Sequence, residues 1–243
     1  MILTVQIIPY LNLSLAFLPV ILVLILMWKW KLNYGHTAYA VLRMLVQLLL
    51  IGFVLAYIFN ADSSLVVIAV LTVMLVSSSW ITLGNLKAGR RKLFAWIFLS
   101  IFLGGGSVLI VITQLVLNLA SWYMPSYVIP LAGMIFANSM NGISLAGERL
   151  ESEMDRGLDY SEARPIALKA ALITITNTLF AVGLVSLPGM MTGQILSGVA
   201  PFIAARYQIM VMCMIFGSVG LSTALFLHLM KDRFHTENEG QPY

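Results

Sequence analysis

Leu65-Val66-Val67-Ile68-Ala69-Val70-Leu71-Thr72-Val73-Met74-Leu75-Val76-Ser77-Ser78-Ser79-Trp80-Ile81-Thr82-Leu83 carries no charge, and Gly84-Asn85-Leu86-Lys87-Ala88-Gly89-Arg90-Arg91-Lys92 follows at once. The first stretch is long enough, as a helix, to cross a hydrocarbon layer about 30 Å thick. The second is basic, and short basic loops stay in the cytoplasm. Working outward, the same alternation repeats. Apolar segments run over Leu11–Trp28, Tyr39–Phe59, Leu65–Leu83, Leu93–Leu119, Val128–Gly147, Leu168–Leu187 and Ala204–Met230. Lys and Arg fall in the gaps at 29–43, 87–92, 149–169 and 231–233, while the gaps near Asp62 and from Leu119 to Val128 hold none. The pattern predicts an all-α, polytopic helical bundle of about seven membrane helices, N-terminus out and C-terminus in.

Composition agrees. Of 243 residues, 60% are hydrophobic and 10% charged, with a mean hydropathy of +0.94. Soluble domains carry about 25% charged residues. Alternating short apolar runs of the outer-membrane barrel kind are absent. The expectation is one transmembrane domain over residues 1–243. The net charge of +4 reflects the cytoplasmic loops and says nothing about nucleic acid; the expected partner is the lipid bilayer, with no nucleic acid. Cys213 is a lone cysteine and reads as packing. The first segment lacks a leading positive charge and a small-residue cleavage site, so it reads as a retained helix.

The third basic gap differs in kind. Glu148, Glu151, Glu153, Asp155, Asp159 and Glu162 mingle there with Arg149, Arg156, Arg164 and Lys169. Mixed charge at helical spacing predicts helix running on beyond the membrane, broken at Gly157, with Ser161 capping the next helix. The outer stretch from Leu187 to Pro201 is too apolar for a free loop and too rich in Gly and Pro for a continuous helix. Two readings stay open: a broken element beside a pathway, or a helix–turn–helix near the outer surface.

The fifth segment has the most polar face. Offsets of three and seven align Asn138, Asn141, Leu145 and Glu148 on one side of a helix. Amides in hydrocarbon need partners, so this stripe belongs at the bundle interior or a subunit interface, as route lining or as interhelical hydrogen bonding. Arg43, one turn from Gln47, snorkels to the interface. Thr174, Thr176, Asn177 and Thr178 put hydroxyls and an amide on the sixth segment. Arg206 breaks the inside rule and is expected to reach headgroups or a carbonyl. Gly189 and Gly193 form a GxxxG, and Gly104-Gly105-Gly106 reads as a bend.

Fourteen methionines bring a soft metal to mind, but no His, Cys or carboxylate cluster accompanies them, and flexible packing is the default. His36, His228 and His235 are far apart, so the metal ligands stay unknown. No P-loop, HExxH or GxSxG sequence is present, and no internal repeat is visible. The chain itself reads as no enzyme and as binding no cofactor.

Three stretches together are similar to the iron-export ABC transporter permeases of the FetB type, a family that includes plant aluminium-tolerance permeases. They are Asn138-Ser139-Met140-Asn141-Gly142-Ile143-Ser144-Leu145-Ala146-Gly147-Glu148-Arg149, then Val182 through Pro188-Gly189-Met190-Met191-Thr192-Gly193-Gln194 to Gly198, then Arg206-Tyr207-Gln208-Ile209-Met210-Val211-Met212. The resemblance implies a permease homodimer joined to two cytoplasmic ATPase subunits, which would hold ATP and magnesium and drive metal export, most simply of iron. From the polar stripe and the Pro/Gly stretch, Asn138, Asn141, Pro188, Gly189, Met190, Met191, Thr192 and Gly193 are expected to border the transport route. The resemblance also implies an ATPase grip at about 148–169, carried by Glu148, Arg149, Glu151, Glu153, Arg156 and Glu162. This chain departs from the family in passing directly through Met154-Asp155-Arg156-Gly157-Leu158-Asp159-Tyr160, where members carry a longer stretch. The alternative function is a non-transporting membrane scaffold or sensor that recruits a cytoplasmic partner through the same loop.

Overall fold

A computed structural model of the chain describes residues 8–59, 63–84, 86 and 90–231. Asp62, Asn85, Lys87, Ala88, Gly89, Asp232, Arg233 and His235 lie outside the described residues, as do the side chains of Arg90, Arg91 and Lys92. Among the described residues all regular structure is helical, apart from an isolated bridge between Val182 and Ser186. Contacts group the chain into two compact units, Met1–Ala61 with Leu196–Gly198, and Asp62–Ile195 with Val199–Tyr243.

The first unit contains α1 (Tyr10–Leu15), α2 (Leu18–Lys29) and α3 (Tyr34–Phe59). A tight turn after Trp30, with Lys31 in the left-handed region at φ 57°, joins α2 to α3. The apolar stretches Tyr10–Lys29 and Tyr34–Phe53 bury no residue. In lipid that carries no penalty, because acyl chains solvate leucine as well as protein does.

The second unit is built on α7 (Pro125–Asp155), which packs against α4 (Ser64–Gly84), α8 (Tyr160–Ala181) and α10 (Pro201–Leu229). Proline opens both α7 and α10, at positions where its missing N–H is not needed. Pro130 lies inside α7 and does not mark its start, since the helix already begins at Pro125. Ile97, Ile101, Ile135, Ile143, Leu150 and Phe226 are among the fully buried core side chains.

The run from Arg90 to Val116 is helical throughout but changes type. It passes from α5 (Arg90–Ser100) through a π-helical turn (Ile101–Gly105) and α6 (Gly106–Ile110) into a second π turn (Val111–Val116). The glycine triplet expected to bend is right-handed helix at Gly105 and Gly106. The reason for glycine is close approach: a Cβ on Gly104 would lie 2.6 Å from the Ser222 backbone nitrogen, and one on Gly105 would lie 2.8 Å from Ile135 Cγ2.

Among the described residues six helical runs are long and apolar enough to cross a membrane, and α8 is not among them. The sixth span, expected at Leu168–Leu187, is thus shifted and more polar. The helix starts at Tyr160 and stops at Ala181, and it includes Arg164, Lys169, Thr174, Thr176, Asn177 and Thr178. It folds against α7 and α10 through Ala163, Ala167, Ala171 and Ile175, one small or apolar residue per turn, rather than through overall hydropathy. α9 (Gly189–Leu196) completes the described helices.

Candidate functional site

The charged end of the second unit is built by a sharp turn. α7 ends with the Leu158 N–H bonding to the Glu153 carbonyl at 3.2 Å and the Gly157 N–H to the Met154 carbonyl at 2.9 Å. This is a Schellman closure, and it requires Gly157 at φ +89°, a conformation that only glycine adopts cheaply. Gly157 therefore breaks the helix as expected. Ser161 does not cap its successor, because Asp159 stands at the N-cap and Ser161 is already inside α8. Four residues, 156–159, separate the two helices.

Glu153 organises this turn. Its side chain is 6% exposed and accepts from Arg149 Nη2 at 2.6 Å and Arg156 Nη1 at 3.4 Å, the two guanidinium groups being 45% and 64% exposed. Glu148 and Glu162 are exposed beside it, and Glu151 is half-buried. The Tyr160 hydroxyl donates to the Leu227 carbonyl and satisfies one of the four orphan acceptors at the α10 terminus. Leu86 packs over Gly147, where a Cβ would lie 2.5 Å from its Cδ2. Leu86, the α7–α8 turn and the end of α10 thus lie at the end that the basic residues assign to the cytoplasm.

The polar stripe on α7 faces away from its own bundle. Asn138 is half-buried, with its amide nitrogen donating to the Met134 carbonyl at 2.8 Å, while Asn141, Leu145 and Glu148 are exposed. Of the two expected settings, the interior of the second unit does not hold Asn141, Leu145 or Glu148. The opposite face instead carries a seam of hydroxyls and small residues. Ser139 donates to the Ser218 carbonyl at 3.3 Å and accepts from Ser222 at 3.2 Å, while Gly142 lets α10 approach until a Cβ would lie 2.8 Å from Val219 Cγ1. Sequence reading passed over these serines because it weighed amides and charges, although Ser218 and Ser222 at four-residue spacing were visible.

At the other end of α7 lies a cavity of about 570 Å³, lined by Leu117, Ser126, Tyr127, Pro130, Leu131, Met134, Met190, Gln194, Val199, Ile203, Tyr207 and Met210. Of the predicted pathway residues, only Met190 lines it; Met191, Thr192 and Pro188 are half-buried nearby on the α9 element. Thr192 donates to the Pro188 carbonyl at 3.2 Å and tightens the start of α9, a helix about 12 Å long and too short to span. A Cβ at Gly189 or Gly193 would meet nothing within 4 Å among the described residues, so neither glycine is needed there to let another helix approach. Arg206 stacks 4.8 Å over the Phe202 ring instead of reaching a carbonyl. Cys213 is exposed, not packed in the core. Among the described residues no group of three or more His, Cys, Asp or Glu is placed to hold a metal.

These helices define a multi-pass, all-α membrane protein. A family model described as "Uncharacterised protein family (UPF0014)" matches residues 10–235, and the chain belongs to that family. It is 36% identical over 218 residues to a UPF0014 membrane protein of Synechocystis, covering 82% of this chain and 83% of that one. It is 32% identical over 245 residues to the probable iron export permease protein FetB of Escherichia coli, covering 92% and 91% respectively. The Arabidopsis thaliana protein ALUMINUM SENSITIVE 3 is 32% identical over 241 residues, covering 91% and 86%. No solved structure matches.

Proposed function

We propose that the chain is the membrane subunit of an ATP-driven metal-ion exporter that works as a homodimer with a separate cytoplasmic ATPase. Iron is the first ion to test, because a relative alike along nearly its whole length is named a probable iron export permease. The observation carrying the reading is the charged turn itself. It is closed by two backbone hydrogen bonds, joins two helices of the bundle and is tied to a third through Tyr160 and Leu227. A partner that pushes on Glu148, Glu151, Arg156 or Glu162 would therefore move α7, α8 and α10 together. In this scheme the stripe of half-buried Asn138 and exposed Asn141 meets the second copy, which removes an amide from hydrocarbon, and the route runs along that contact past α9.

Two measurements test this. Vesicles holding the chain with its ATPase should export iron in an ATP-dependent manner, and Gly193→Val should lower export at least tenfold without loss of inserted protein. The open space around Gly193 means that folding alone offers no reason for a defect. ATPase recruitment without any ion movement would instead favour the scaffold alternative. Asn141→Leu should weaken self-association in a bilayer by about tenfold, of the order expected for a shielded polar contact between helices. Unchanged association of this variant would place Asn141 outside the interface.

A further inference from the structure

We infer that the cavity between α7, α9 and the start of α10 binds a soft monovalent cation, Cu(I) or Ag(I), through the thioethers of Met134, Met190 and Met210. This goes beyond the exporter reading and concerns a different class of ion from iron. The three methionines come from three separate elements of one unit and converge on one space. They are a quarter of the lining residues, against 14 methionines in a chain of 243. Methionine ordinarily fills gaps in apolar cores. Here the side chains border empty volume instead of filling it, which is the arrangement a ligand needs.

The donor set selects the ion. Thioether sulfur prefers soft, polarizable cations, whereas carboxylate, carbonyl and water suit hard ones. None of the lining residues is His, Cys, Asp or Glu, so no anion compensates a bound charge. The cost of stripping water from an ion rises steeply with its charge, so an uncompensated site disfavours divalent cations far more than monovalent ones. Soft and monovalent together leave Cu(I) and its redox-stable analogue Ag(I).

A second observation is independent of sulfur. Gln194, on the cavity wall, has a buried Oε1 with no hydrogen-bond partner. A buried acceptor left unpaired is costly unless a ligand or its bound water completes it. The access path is also present: Met190 is 37% exposed, while Met134 and Met210 are half-buried further in. Unbranched thioether chains have the freedom to close on an ion much smaller than the cavity, with water taking the remaining space.

The test uses the full-length chain in detergent micelles, with Cys213→Ser as background because an exposed thiol binds the same ions. Ag(I) is the probe, counted by elemental mass spectrometry after equilibrium dialysis against free methionine. The expected result is one retained Ag(I) per chain, with at least tenfold weaker retention in Met134→Leu/Met190→Leu/Met210→Leu. A control triple, Met27→Leu/Met44→Leu/Met140→Leu, should retain it. Met190→Leu alone changes only a partly exposed side chain of α9 and should weaken binding at least threefold, which keeps the test decisive if the triple variant misfolds. Equal retention by the site and control variants overturns the proposal, and so does Mn(II) bound as tightly as Ag(I). The assay needs neither ATPase nor efflux, so its failure leaves the exporter reading standing, and absent efflux leaves a measured Ag(I) site standing.

Discussion

Gly104→Ala should destabilise the bundle by about 2–3 kcal/mol, at the upper end of what overpacking a core costs. The added methyl group would sit 2.6 Å from the Ser222 backbone nitrogen, 2.7 Å from its Cα and 2.7 Å from its Oγ. Two of these three atoms are main chain, so no rotamer change makes room. α10 has to move away, and Ser222 then loses its 3.2 Å contact with Ser139. Gly147→Ala is the matched comparison. Its methyl would also come too close, at 2.5 Å, but only to the far end of the Leu86 side chain, which can turn aside. A cost of about 1 kcal/mol or less is expected there. Unfolding in graded denaturing detergent measures both, and equal shifts would mean that the Ser222 backbone does not set the spacing.

The second large effect is at the charged turn. Glu153→Lys should cut ATP-driven export at least tenfold while membrane insertion is unchanged. The substitution places a third cation in a nearly buried position between Arg149, one turn before, and Arg156, just after the helix end. Losing the carboxylate and gaining repulsion is expected to cost about 3 kcal/mol, the lower range for breaking a buried pair. The damage is confined to the tip of the unit, because the core from Ile135 to Leu150 lies above it. Glu148→Lys changes the same net charge on an exposed side chain and should leave export within about twofold, since surface pairs contribute little. If both variants lose export equally, the partner reads surface charge and the Glu153 triad has no part in gripping.

Apolar length alone located six of the helices, because a span needs nothing more than continuous hydrophobicity. α8 was misplaced for a physical reason. Its helix is held by alanines at Ala163, Ala167 and Ala171 that tuck against neighbours, while its charged first turns hide the start from any hydropathy scan. The turn at Gly157 was readable, because a glycine ending a charged helix has a local cause. The direction of the Asn138–Asn141 stripe was not. Periodicity says which residues share a face, and only packing says what the face meets. The cavity was beyond reach for a similar reason. Met134, Met190 and Met210 are separated by long intervals with no fixed spacing, and only the fold of α7, α9 and α10 brings them to one place.

The length of α7 has a mechanical consequence. It is one helix from Pro125 to Asp155, with Met134 on the cavity wall near one end and Glu153 in the charged turn near the other. Those two residues are about 28 Å apart along the axis. Gly142 lies between them, where a Cβ would come within 2.8 Å of Val219 Cγ1 and 2.9 Å of Thr223 Oγ1. Under the proposed coupling, a push on the Glu153 end is carried along one unbroken helix to Met134, so a stroke delivered on one side of the bilayer reaches the chamber on the other without either end having to unwind.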